Sequence, residues 1–240
     1  MQPQSHLVRA AIYVVLCYFF LSLFSACAKV ASEKVSIFTV LFFQNAICFL
    51  LNAPMALKAG LKTKHPYLHL IRDVSGFASY FFFVLSLEQH IPLANAVLLS
   101  NTSPLWIPFV IWVWFKKKVP SYLWISLIVG FAGILFILKP SVRSFDMPSL
   151  YALLSGMVLG VAMVTIRRLT QTEPSARILF YYFLLGTVIS LPGAIRDWHR
   201  AFETPVLYFL IAAALFFYMV QVCINLGFKK GKASTLSPIA

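Results

Sequence analysis

Eight apolar stretches, each close to the length a helix needs to cross a bilayer, leave this chain little sequence that could fold in water. A helix rises about 1.5 Å per residue, so about 20 apolar residues cover a hydrocarbon core of about 30 Å. Spans are predicted near Ala10 to Ala31, Ser36 to Leu57, Arg72 to Leu87, Pro92 to Phe115, Tyr122 to Leu138, Pro148 to Thr165, Ile178 to Ile195 and Pro205 to Phe228. The gaps between them are short and turn-prone, as in Ser32-Glu33-Lys34, Lys139-Pro140-Ser141 and Thr172-Glu173-Pro174-Ser175. They leave no room for a soluble domain. Only 11 % of residues are charged, against about a quarter in soluble domains, so lipid is the main solvent and the fold class is all-α and polytopic.

Charge orients these spans. Fourteen of the twenty basic residues fall in alternate gaps: Arg9, then Lys58, Lys62, Lys64 and Arg72, then Lys116 to Lys118, then Arg167, Arg168 and Arg177, then Lys229, Lys230 and Lys232. The positive-inside rule places those gaps and the N-terminus in the cytoplasm, with a bacterial inner membrane as the expected location. The formal charge of +13 does not imply a nucleic-acid partner, because the basic residues form short clusters at helix ends rather than a stripe with interleaved aromatics. Anionic headgroups are their expected contact.

Arg9, the apolar run Ala10 to Phe24 and the small residues Ser25 to Ala28 imitate a signal peptide. The run is long for that role and many spans follow, so an uncleaved first helix is expected. Cys17, Cys27, Cys48 and Cys223 lie inside apolar segments without metal or disulfide spacing and read as small packing residues. His65 and His69 share an i, i+4 spacing, but Pro66 between them argues against a helix and so against a metal pair there. No cofactor is implied.

The chain also resembles itself. A shift of about 139 residues lays Ser36 on Ser175, Phe42-Phe43 on Tyr181-Tyr182 and Ala94 on Ala233, so segment lengths repeat along with hydropathy. A repeat of five crossings is odd, and two copies in tandem must enter the membrane from opposite sides. The expected plan is one five-helix repeat over residues 1–140 and a second over 141–240, inverted and incomplete. Eight spans plus the start of a ninth are present, which reads as a truncated ten-helix fold needing roughly 40 further residues.

Ordered landmarks carry a family resemblance: Arg72 after a basic gap, Ser86-Leu87 followed by Ile91-Pro92-Leu93-Ala94, Ser103-Pro104, Gly130 and Gly133 leading to Leu138-Lys139-Pro140, and in the second copy Gly231-Lys232-Ala233-Ser234 and Ser237-Pro238. The chain resembles the drug/metabolite transporter superfamily, specifically its EamA-like carriers of ten helices in two repeats. Leu61-Lys62-Thr63, His69 to Arg72 and Leu138 to Pro140 are similar to the bacterial S-adenosylmethionine uptake branch. Members of the family carry a Glu in the short gap after the fourth helix of each repeat, where this chain has Lys116-Lys117-Lys118.

No nucleophile sits beside a base, no carboxylates are spaced for acid–base work, and no glycine-rich loop leads into a phosphate-binding helix, so the chain is not read as an enzyme. What stands out is a set of uncharged polar and aromatic groups at mid-helix depth: Gln44, Asn45, Tyr80, Asn101, Tyr182, Gln221 and Asn225. Each taken singly reads as glue between helices; the set together suits a neutral cavity for a zwitterionic or organic-cation metabolite. Asn101-Thr102-Ser103-Pro104 predicts either a helix break lining that path or a plain kink. Gly156 and Gly160 predict a close helix contact. The expected activity is secondary transport by alternating access, as S-adenosylmethionine uptake or exchange; export of an amino acid or drug, or a non-transporting receptor or assembly role, are the alternatives. The expected partners are a small-molecule substrate and the bilayer, with a homodimer left open.

Overall fold

A computed structural model describes residues 3–116, 124–125, 127–130, 132–133 and 146–230. They form α1 (Pro3–Ser32), α2 (Ile37–Ala59), α3 (Pro66–Glu88), α4 (Leu93–Ser100), α5 (Ser103–Phe115), α6 (Met147–Thr172), α7 (Ser175–Ala194), a 3₁₀ turn (Ile195–Asp197), α8 (Trp198–Ala201) and α9 (Thr204–Lys230). Seven segments among the described residues are long and apolar enough to cross a membrane, with α4 and α5 counting as one broken span. They match the first four and last three predicted spans. The predicted fifth, Tyr122 to Leu138, lies largely outside the described residues, as do the Gly231 to Ala240 landmarks.

Prolines punctuate the helix starts, where a missing N–H costs nothing. Pro66 opens α3, Pro148 follows the N-cap of α6, and Pro174 caps α7; at α6 the Asp146 carboxylate also accepts from the Ser149 N–H at 3.2 Å. Pro66 therefore starts a helix that the sequence was read as lacking, six residues before the predicted span. That correction turns His69 and Arg72 from loop and mouth residues into buried helical ones. At the other end of α3, the Lys29 ammonium donates to the Leu87 carbonyl at 2.9 Å, placing a cation at the negative end of the helix.

Three long pairings organise the bundle: α1 along α9, α2 along α7 and α3 along α6. Phe24, Tyr80, Phe83, Tyr182, Phe183 and Phe217 fill the middle. The outer surface is as apolar as the core, with Val15, Leu50 and Val188 more than 60 % exposed. A soluble domain does not present such a surface, and lipid covers it at no cost.

The break between α4 and α5 is set against α6. Asn101 and Thr102 leave the helix, the Thr102 hydroxyl donates back to the Leu99 carbonyl at 2.7 Å, and Gly156 lies directly beneath. A Cβ on Gly156 would stand 2.7 Å from the Leu99 oxygen and 2.9 Å from the Ser100 oxygen, so only glycine permits this approach. Of the two alternatives for Asn101 to Pro104 the structure has a break, and the predicted close contact of Gly156 is present.

Candidate functional site

Polar residues within the bundle gather in three places. The first is a cavity of about 110 Å³, where a single water needs about 10–15 Å³, so it has room for part of a small organic molecule. It is walled by Tyr13, Cys17 and Tyr18 of α1, Ser79 and Tyr80 of α3, Ser100, Asn101 and Ser103 at the α4–α5 break, Ser155 of α6, and Val220 and Cys223 of α9. The break leaves Asn101 outside both helices and sets Ser103 at the first turn of α5, where both line this space. None of the wall residues carries a formal charge at neutral pH. Hydroxyls, one amide and tyrosine faces, among apolar side chains, therefore give it a neutral wall.

Behind Tyr80 lies the second group. The Tyr80 ring meets Phe217 edge-on with centroids 4.5 Å apart, and Phe217 in turn contacts Tyr182. The Arg72 guanidinium sits 3.7 Å over the Tyr182 ring and donates through Nη2 to Gln221 Oε1 at 3.0 Å. Asp73 Oδ1 is 3.7 Å from Arg72 Nη1. All of these side chains are buried, Arg72 to 1 % exposure. The sequence places Arg72 and Asp73 at the cytoplasmic mouth of the third span, as an anchor, as a mutual pair or as a group that admits an anion; in the structure Arg72 stands about 9 Å along α3 from Pro66.

The third group joins the α2–α3 loop to the α6–α7 corner. The Glu173 carboxylate accepts from the Thr63 hydroxyl, from the Lys64 N–H at 3.3 Å and from His69 Nε2 at 2.8 Å. Arg177 lies 3.6 Å from the same carboxylate and donates to the Gly60 carbonyl at 2.6 Å and the Ala59 carbonyl at 3.1 Å, closing the end of α2. The Tyr181 hydroxyl donates to the Leu61 carbonyl at 2.7 Å, while its ring lies against His69. Burial alone raises a carboxyl pKa, but the hydrogen bonds from Thr63 and His69 outweigh it and hold Glu173 below the usual carboxylate range.

The seven residues singled out from the sequence divide among these places. Tyr80 and Asn101 line the cavity. Tyr182 and Gln221 form the Arg72 cluster, and Asn225 donates to the Gln221 carbonyl at 2.8 Å, one turn along the same helix. Asn45 donates to the Leu41 carbonyl of its own helix, with its side chain against Gly186 of α7. Gln44 is buried with neither amide atom hydrogen-bonded among the described residues. Asn52, by contrast, pins α2 to α7 through the Ala176 carbonyl, as plain interhelical glue.

Sequence reasoning missed the Glu173 group. A signal was available: Glu173 is one of only seven acids in a chain of twenty bases, and it sits among Arg167, Arg168 and Arg177. An acid in a gap otherwise selected for positive charge calls for a specific partner.

The EamA-like transporter family model matches residues 8–139 and 147–240. A pseudopaline exporter of Pseudomonas aeruginosa is 29 % identical over 208 residues, covering 80 % of this chain and 72 % of that protein. An S-adenosylmethionine uptake transporter of Rickettsia bellii is 26 % identical, covering 80 % and 69 %. A riboflavin transporter of Vibrio cholerae is 22 % identical, covering 99 % and 82 %. One crystal structure, 18 % identical, superposes with a TM-score of 0.65 over 95 % of this chain and 83 % of its own, a likeness of fold alone. The match spans both halves of the chain and these relatives are named transporters, not enzymes: this protein is a multi-pass membrane transporter of small molecules and belongs to the EamA-like transporter family.

Proposed function

We propose that the protein is a secondary carrier working by alternating access, built on inverted five-helix repeats, with the uncharged cavity as the resting place of its substrate. The observation that carries this reading is the membership of the cavity wall. Its residues come from the first, third and fourth spans of one half and the first and third of the other, so a molecule held there touches both halves at once. The helix pairing supports the repeat. Exchanging α1 with α6, α2 with α7 and α3 with α9 turns the α1·α9 pair into α6·α3 and returns α2·α7 to itself.

In this reading the Glu173 group is a contact between halves that is made and broken as they rock. Thr63 and His69 belong to the first half, Glu173 and Arg177 to the second. The basic residues of those gaps support a cytoplasmic side for that contact, by the positive-inside rule.

Among substrates, a metabolite with an aromatic or cationic portion fits tyrosine faces and hydroxyls. S-Adenosylmethionine has that chemistry, and the Rickettsia relative supports uptake or exchange; the Pseudomonas relative supports export as the second reading. A chemical test uses the two cavity thiols. Treating cells with N-ethylmaleimide is expected to block uptake of labelled S-adenosylmethionine, with the Cys17→Ser/Cys223→Ser variant resistant and Cys27→Ser still sensitive. Equal block in all three would remove the cavity from the transport path.

A further inference from the structure

Arg72 is the largest fully buried side chain among the described residues, and its hydrogen bonding is incomplete. A guanidinium carries five N–H donors, and only Nη2 finds an acceptor here, on Gln221. Nε and Nη1 have no hydrogen-bond partner among the described residues, and neither does Asp73 Oδ1. Leaving a buried cation in this state is costly, and an ionisable residue within a span usually marks a functional site.

Asp73 cannot complete the site. Adjacent residues on a helix point about 100° apart, so Arg72 and Asp73 cannot pair in the two-bond fork that guanidinium and carboxylate prefer. The observed 3.7 Å separation balances charge without forming a hydrogen bond. The guanidinium is nevertheless oriented with care: the Tyr182 ring lies against one face, Gln221 fixes one end, and Gly76 leaves the room, since a Cβ there would stand 2.9 Å from Tyr182 and 3.2 Å from Arg72 Nη1. The Tyr80 ring, part of the cavity wall, meets Phe217, and Phe217 meets Tyr182, so a run of ring contacts links the cavity to this group.

We propose that Arg72 receives an anionic group of the transported molecule, a carboxylate that forms the fork Asp73 cannot, with Tyr182 and Gln221 positioning the guanidinium. This rests on the carrier reading and extends it: the substrate is two-ended, its cationic or aromatic part lying in the uncharged cavity and its carboxylate reaching past Tyr80. Asp73 holds the charge of Arg72 between substrates. The Tyr80–Phe217 contact parts to admit the carboxylate.

The test is binding to the purified protein in nanodiscs, with S-adenosylmethionine and its decarboxylated analogue as paired probes, and methionine, histidine and citrate as further carboxylates. The wild type is expected to prefer S-adenosylmethionine over the decarboxylated form. Arg72→Gln is expected to weaken S-adenosylmethionine binding by about 10- to 100-fold while changing the decarboxylated form less than about twofold. Arg72→Lys keeps the charge, guards against simple misfolding, and should recover part of the loss. Equal loss of both probes in Arg72→Gln would make the residue structural and overturn the proposal, as would wild-type protein that binds none of the carboxylates. Counterflow is read separately: carboxylate-selective binding without counterflow retires the carrier reading but leaves the site, and counterflow indifferent to Arg72 does the reverse.

Discussion

Replacing Glu173 with Ala is expected to destabilise the folded protein by about 3 kcal/mol, because each buried donor left without its acceptor costs about 1–3 kcal/mol. The side chain is 2 % exposed, and its loss strands the Thr63 hydroxyl, the Lys64 N–H and His69 Nε2 together, with Arg177 losing its nearest acid. Thermal unfolding in detergent measures the stability change. Hydrogen exchange at Lys64 and His65 locates it, because both amides are held in this group, one by Glu173 and one by the Thr63 hydroxyl. Exchange unchanged at both positions would show that the loop is held by other means.

The same carboxylate gives a pH dependence of definite sign. Its pKa in the folded protein lies below that of a free Glu, so the unfolded state binds protons more readily than the folded one. The stabilisation is fully present above the ordinary Glu range, near pH 4.3, and is lost as pH falls through the depressed value. Wild-type protein is therefore expected to lose stability over that acid range more steeply than Glu173→Ala.

Adding side chains at Gly156 gives the second large effect. A methyl there meets the Thr102 hydroxyl and the carbonyls of Leu99 and Ser100, two of them backbone atoms that cannot rotate away. Gly156→Ala is expected to cost about 1–3 kcal/mol, and Gly156→Val more. Transport should fall further than stability, because the clash falls on the α4–α5 break that presents Ser100, Asn101 and Ser103 to the cavity. Gly133→Ala is the control: its added methyl meets nothing within 4 Å among the described residues, and it should unfold and transport like wild type. Equal behaviour of the Gly133 and Gly156 variants would mean that the approach of α6 to the break is unimportant.

Much of this molecule was legible in the sequence because the bilayer imposes length and polarity on every span. Seven of the eight predicted spans appear as helices long enough to cross, and the Asn101-to-Pro104 break lies where Pro104 withdraws a donor. Pairing between distant spans was not legible. Gln221 and Asn225 share a helix face, as their spacing says, but nothing in that spacing reveals that Gln221 meets Arg72 on α3. The predicted third span starts six residues late because proline between two candidate helical residues reads as a breaker, whereas it is equally at home in a first helical turn. That one shift hid both buried charged groups, since His69 reaches Glu173 and Arg72 reaches Gln221 only from within α3.

The carrier reading stands or falls on solute counterflow. Proteoliposomes holding the purified protein would be preloaded with unlabelled S-adenosylmethionine and diluted into a trace of labelled S-adenosylmethionine, with matched vesicles for riboflavin and for amino acids. A carrier with one cavity shared by two halves is expected to give a transient rise of label inside above its outside level, driven by the outward gradient of unlabelled solute with no ion gradient imposed, and to lose it on treatment with N-ethylmaleimide. Label that never overshoots for any of these solutes, in vesicles where the protein is folded and inserted, would contradict alternating access through this cavity.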